Sequence, residues 1–221
     1  MIIAIDGPAA SGKSTTAKLV AKKLEFSHLD TGGMYRCIAL SFLRNDISFI
    51  DNSSSRKLVE DTKLELGNKS GKQLFLLNGE DVTIEIRNEN VTNSVSAVSS
   101  LSFIRKRLVR LQRNFARKND SVIEGRDIGT VVFPDADFKF FLIADDKVRA
   151  ERRQLDLKKY GENRPIHQII DEIRKRDRFD SERKDSPLLK AENAVEIDTS
   201  YLSIDEQVDF IIKIVKSEMK G

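Results

Sequence analysis

The chain of 221 residues is long enough for one core with an insertion or a lid. A third of its residues are charged, yet the net charge is only +3, which does not describe a protein that coats nucleic acid, although basic residues cluster locally. The single cysteine, Cys37, excludes an internal disulfide and most cysteine metal sites, suits a reducing cytosol, and is expected to be a small buried residue.

The chain opens on "MIIAID", which reads as a short buried strand and is far too short for a signal or membrane segment. "GPAASGKST", residues 7–15, follows and fits G-x-x-x-x-G-K-[ST] in full. Gly7 and Gly12 let the backbone curl where a Cβ would clash. Consecutive N–H groups then form an anion-binding concavity at a helix N-terminus. Lys13 is placed to reach the β- and γ-phosphates of a nucleotide, and the Ser14 hydroxyl can ligate Mg²⁺. An ordinary glycine-rich turn is the alternative. The strand before the motif and the helix after it, "KSTTAKLVAKKL" with Ala17, Val20, Ala21 and Leu24 on one face, argue against that. The motif says nucleotide without saying which reaction.

Further along, "FSHLD" reads as a strand and "GGMYRCIALSFLRND" as a helix. "DNSSSRK", residues 51–57, reads as a polar loop. Residues 63–86 carry a Gly-Asn-Lys-Ser-Gly turn and an Asn78-Gly79 turn, and read as an antiparallel meander of about three strands. "LSFIRKRLVRLQRNFARK" is a helix with Leu101, Ile104, Leu108, Leu111 and Phe115 on one side. "SVIEG" and "DFKFFLIA" are strands. The highly charged residues 147–187 read as two helices, the second striped with Ile166, Ile169, Ile170 and Ile173. "AVEID" is the last strand, and Ile204, Val208, Ile211, Ile212 and Val215 mark the last helix.

Strands alternating with helices imply an α/β fold, a mostly parallel sheet covered on both faces, with ligands at the carboxyl ends of its strands. The expected organisation is a core at residues 1–62, an inserted antiparallel subdomain at 63–90, core again at 91–145, a lid at 146–185, and a closing strand and helix at 186–221. His28 and His167 are far apart and have no metal-ligand pattern around them.

Basic residues collect where strands and helices should end. Tyr35-Arg36 follows "LDTGGM", Arg126-Asp127 follows "SVIEG", and "RKRDRFDSER" offers Arg174, Arg176, Arg178 and Arg183. Arg107, Arg110 and Arg113 are expected to be solvated surface. Arg36, Arg126 and Asp127 are expected at the binding edge, where the guanidinium fork suits phosphate. Phosphoryl transfer explains the number of arginines, because charge spreads over the oxygens of the migrating group. A charged lid can close and exclude water. A GTPase is excluded, since Asn68-Lys69 is followed by Gly71 where N-K-x-D needs its aspartate. Asp145-Asp146 after "FFLIA" is a weak ATPase carboxylate pair and better read as a helix start.

With "IDGPAASGKST", "LDTGGMYR", "EDVTIEIR", "EGRDIGTVVFPDA", "RKRDRFDSERKDSPL" and "IDTS" in this order, nearly the whole chain resembles the bacterial cytidylate kinase family, nucleoside monophosphate kinases acting on CMP and dCMP. The resemblance implies an adenylate-kinase-like core, an arginine-rich lid and an enlarged monophosphate-binding insertion. It implies that Gly7, Pro8, Ala9, Ala10, Ser11, Gly12, Lys13, Ser14 and Thr15 bind the ATP phosphates, with Mg²⁺ at Ser14. It matches Thr31, Arg105 and Asp127 to cytosine-reading positions, and Arg36 and Arg126 to the CMP phosphate, with Tyr35 beside them. Arg176, Asp180 and Arg183 match positions at the ribose and the transferring phosphoryl group, and Arg152 a lid arginine on the ATP side. Lys13, Arg126, Arg152, Arg176 and Arg183 form the expected catalytic set. Two departures stand out: Gly33 where the family usually has Ala, and "KAENA" before the last strand.

The expected partners are therefore small nucleotides, with neither nucleic acid nor membrane, and the chain is expected to act as a cytoplasmic monomer. Another monophosphate, such as UMP or AMP, is the alternative acceptor, and an RNA-binding protein using the basic helix and the insertion is the alternative of a different class. Cytosine offers a donor at N4 and acceptors at N3 and O2, which Asp127 and Arg105 could pair; uracil O4 would leave the carboxylate unpaired.

Overall fold

The computed structural model describes residues 1–69, 72–158 and 161–219. Ser70 and Gly71, in the first expected meander turn, and Lys159 and Tyr160, in the expected lid, lie outside the described residues. In chain order the elements are β1 (Ile2–Asp6), α1 (Lys13–Leu24), β2 (Ser27–Asp30), α2 (Thr31–Arg44), α3 (Ser53–Asp61), β3 (Leu64–Lys69), β4 (Lys72–Leu77), β5 (Glu80–Asp81), α4 (Glu89–Ser100), α5 (Ser102–Ala116), β6 (Ser121–Gly125), β7 (Phe138–Ile143), α6 (Asp146–Lys158), α7 (Ile166–Ser181), β8 (Val195–Asp198) and α8 (Ile204–Glu218). They fall into two units, one of Met1–His28 with Lys118–Gly221 and one of Leu29–Arg117.

The first unit is built on the sheet of order β2-β6-β1-β7-β8, which the chain leaves along β2. β1 pairs in parallel with both β6 and β7, and β7 with β8. Central parallel strands are covered on both faces, which is why Ile3, Ala4 and Ile5 are all fully buried instead of alternating with polar residues. Ala17, Val20 and Ala21 of α1 and Val208, Ile211 and Val215 of α8 close the same core. Each large apolar side chain so buried contributes about 1.5–3 kcal/mol. The register Asp6↔Gly125 sets the carboxyl ends of β1 and β6 side by side.

In the second unit, α2 starts at Asp30, whose Oδ1 accepts the Gly33 N–H at 2.9 Å. The meander is present as β3-β4-β5. Asn78 and Gly79 both take positive φ, 53° and 86°, the pair a tight two-residue hairpin turn requires. Its apolar residues Phe75, Leu77 and Val82 are buried.

Two expectations are corrected here. "DNSSSRK" is not a loop: Ser53–Asp61 is helical. The side chain of Asn52 accepts from the Ser55 N–H and Ser55 Oγ accepts from the Asn52 N–H, a reciprocal cap that starts the helix locally. Arg107 is not simply solvated: it is half-buried and donates to the Thr62 carbonyl, tying α5 to the end of α3. Arg110 and Arg113 are exposed.

Candidate active site

The phosphate loop runs from the end of β1 into α1. A Cβ on Gly7 would stand 2.3 Å from the Leu142 carbonyl oxygen, so only glycine lets the loop leave the sheet here. Gly12 caps α1 at φ 93°. The loop is supported from behind: Thr199 Oγ1 donates to the Ser11 carbonyl at 2.9 Å, and Thr16 Oγ1 to Gln207 Oε1 at 2.8 Å. Lys13 is buried and donates to the Pro8 carbonyl at 3.0 Å. Burial, then the neighbouring Arg126, bring its ammonium down to about 7, with Arg176 adding to the effect and Glu124 and Asp177 opposing it.

Ser14 Oγ donates to Glu124, the penultimate residue of β6. The other Glu124 oxygen lies 3.2 Å from His28 Nε2. Ser14 and Glu124 make an all-oxygen donor pair, which fits a hard divalent cation. Among the described residues no group of three or more His, Cys, Asp or Glu is arranged to hold a metal.

Arg126 and Asp127 follow β6 directly. Arg126 Nε donates to Asp180 Oδ2 at 3.0 Å, and Arg183 Nη1 lies 3.6 Å from Asp180 Oδ1. Burial alone would raise the Asp180 carboxyl, but Arg126, Arg176 and Arg183 together hold it below its ordinary value. Arg126, Arg176, Asp180 and Arg183 are thus brought together, with Arg126 and Arg176 also acting on Lys13. A cluster this positive stabilises a polyanion placed among it. Arg152 occupies another position in the same unit, donating to Thr199 Oγ1 at 3.0 Å and to the Thr199 carbonyl at 2.6 Å.

The two charged helices pack through Ala150, Leu157, Ile169 and Ile173. Arg149 Nη1 donates to the Ala9 carbonyl at 3.1 Å and to Asp177, and its other nitrogen to Asp146. Asp146 begins α6 and also pairs with Arg174, as befits a helix start.

The second unit carries Thr31, Tyr35, Arg36 and Arg105. Thr31 and Tyr35 lie on one face of α2, four residues apart, and both are buried. The buried Arg105 guanidinium sits 5.5 Å from the centre of the Tyr35 ring. Arg36 folds back over the first turn, with Nη1 3.6 Å from where a Gly32 Cβ would stand. The meander grips the same turn: Gln73 Oε1 accepts the Asp30 N–H at 3.0 Å, and Arg87 lies 3.6 Å from Asp30.

Sequence reasoning missed Glu124, Asp6, Asp177 and Arg149. For Glu124 a signal existed, a carboxylate near the end of a strand entering "GRD". For the other three nothing local distinguishes them from solvated charges.

The family model described as Cytidylate kinase matches residues 3–217. A cytidylate kinase of Lactobacillus johnsonii is 43% identical over 221 residues, covering 100% of this chain and 96% of its own length. One of Bacillus velezensis is 45% identical over 218 residues, covering 99% and 97%. One of Bacillus cereus is 46% identical over 213 residues, covering 96% and 95%. In three dimensions the chain is similar to the crystal structure of TT1252 from Thermus thermophilus, with TM-score 0.50 at 15% identity over 100% of this chain and 98% of that one, a likeness of fold. Among the described residues no helix is long and apolar enough to cross a membrane.

Proposed function

The chain belongs to the cytidylate kinase family and carries that family's function, and from this we propose that it transfers the γ-phosphoryl group of ATP to CMP or dCMP, giving ADP and CDP or dCDP. The observation that carries the reading is the convergence of Lys13, Arg126, Arg176 and Arg183 about Asp180 and the end of β6.

The loop Gly7–Thr15 cradles the donor phosphates through its N–H groups. Lys13 regains its full charge as those phosphates arrive, and stabilises the migrating group. Arg176 and Arg183 share that charge, while Arg126 holds the acceptor phosphate with Arg36. Asp180 keeps Arg126 and Arg183 oriented and faces the ribose. Thr31, Arg105 and Asp127 read cytosine, with Tyr35 under the Arg105 guanidinium. Ser14 and Glu124 are the residues that would hold Mg²⁺, which supplies positive charge over the phosphates when bound. Residues 146–185 act as the lid, with Arg152 on the donor side, and residues 63–90 as the monophosphate-binding insertion. The chain works as a cytoplasmic monomer.

The test is ATP consumption against a panel of CMP, dCMP, UMP and AMP. CMP or dCMP turnover at least tenfold above UMP and AMP is expected, and Lys13→Ala abolishes it while leaving the fold intact. Normal CMP turnover in a folded Lys13→Ala protein sinks the phosphate-loop assignment.

A further inference from the structure

Asp6 is the last residue of β1, buried at 4% exposure, and none of the roles above uses it. Its Oδ1 accepts the Ile128 N–H at 2.9 Å and its Oδ2 the Gly129 N–H at 2.8 Å. Both oxygens are therefore spent on consecutive amides of the helical turn Ile128–Val132, which begins right after Asp127. The turn is closed by the Asp127 carbonyl, which accepts from Val131 N–H at 2.9 Å and Val132 N–H at 3.1 Å.

We infer that Asp6 is a positioning residue for the acceptor side of the reaction, setting the turn that directly follows Arg126 and Asp127. The inference rests on the proposed reading of those two residues as substrate-binding.

A carboxylate suits this task because it can accept two converging N–H groups, one on each oxygen, whereas an amide offers one oxygen and one donor. The arrangement is costly. Both hydrogen-bond partners are neutral backbone groups, and burial pushes the carboxyl up to about 7 despite them, with the like charge of Asp127 adding to the rise and Arg126 opposing it. Gly129 leaves ordinary space beside the carboxylate: a Cβ there would stand 3.5 Å from Asp6 Oδ2, and the nearer neighbour, at 3.2 Å, is the Lys139 side chain. Asp6 is also peptide-bonded to Gly7, the first residue of the phosphate loop. A merely structural defect at the end of β1 would therefore disturb the donor loop first, while a positioning defect disturbs the acceptor.

The experiment measures KM for CMP and for ATP separately, in the full chain. Asp6→Asn places an amide NH₂ against one of the two N–H groups and lets the turn move. KM for CMP should rise at least tenfold, with KM for ATP within threefold of wild type, since small misplacements of substrate-holding groups are amplified in catalysis. Asp6→Ser keeps a single acceptor oxygen facing the two N–H groups and should show the same split if Asp6→Asn does not fold. An unchanged KM for CMP, or equal rises for CMP and ATP, overturns the inference. Arg126→Ala serves as the control: if it too leaves KM for CMP unchanged, the reading of Arg126 has failed. If Arg126→Ala raises KM for CMP and Asp6→Asn does not, only the role of Asp6 has failed.

Discussion

Asp177 accepts the backbone N–H of Ala9 at 3.0 Å, so helix α7 rests directly on the phosphate loop. Arg149 of α6 donates to the same carboxylate and to the Ala9 carbonyl, which makes one buried network of two helices and a loop. Removing Asp177 leaves a buried guanidinium with only part of its compensation. Asp177→Ala should therefore cost about 1–3 kcal/mol of stability. Asp146→Ala should cost less, because Asp146 is the more exposed partner, 34% against 17%, and Arg149 keeps Asp177. Urea unfolding of the two variants decides it: an Asp146→Ala loss equal to or above that of Asp177→Ala contradicts this account.

The raised carboxyl of Asp6 has a pH signature. Its ordinary value is 3.8 and its folded value about 7. Between those values the folded chain holds the extra proton, so stability falls as pH rises through the window and levels off above it. The total effect is on the order of a few kcal/mol. Asp6→Asn removes the titration, so the wild type should lose stability relative to this variant from pH 5 to pH 7.5. The slope is the test, since the amide changes the absolute level by losing one acceptor. Parallel stability curves would show that the carboxyl is not raised.

Gly33 has a tertiary cause. A Cβ there would stand 2.2 Å from Phe75 Cζ and under 3 Å from two more atoms of the same ring. Phe75 comes from the meander and is 1% exposed, so the ring fills the place of a methyl group. Gly33→Ala should cost about 1–3 kcal/mol by overpacking, outweighing the better helix propensity of alanine. Phe75→Leu in the same chain should recover part of the loss, giving a coupling between the two sites in a double-mutant cycle. Additive losses would separate them.

Base selection is tested at Asp127, on the hypothesis that its carboxylate accepts from cytosine N4. Asp127→Asn keeps the size and removes the charge. CMP kcat/KM should fall by roughly one or two orders of magnitude, the worth of a charged hydrogen bond. UMP should lose less, because the amide can turn to donate to uracil O4. The preference for CMP over UMP then narrows at saturating ATP. Equal losses for both would assign Asp127 to phosphate or to site geometry instead.

Much of the molecule is legible in the sequence, because its elements are encoded locally. All five sheet strands fall on stretches that read as strands, β1 and β7 as the plainest apolar runs, and the periodic faces of α1, α5 and α8 are visible without a partner. The Asn78-Gly79 turn and the phosphate loop depend on backbone freedom at named residues, so their meaning travels with the residues themselves. The start of α3 is local too, but serine and asparagine favour caps and loops alike, so the stretch reads as a loop.

Tertiary structure decided the rest, for one physical reason: a charge acquires its role from what surrounds it, and the surroundings come from distant parts of the chain. Glu124 meets Ser14 across 110 positions, and Asp6 meets Ile128 across 122, because β1 lies between β6 and β7. Asp177 reaches Ala9 across 168 positions only once α7 has packed. Gly33 is explained by a ring 42 residues later, brought to it when the meander docks. In the sequence Asp6 and Asp177 look like solvated carboxylates, and burial against a specific partner is what separates them from such.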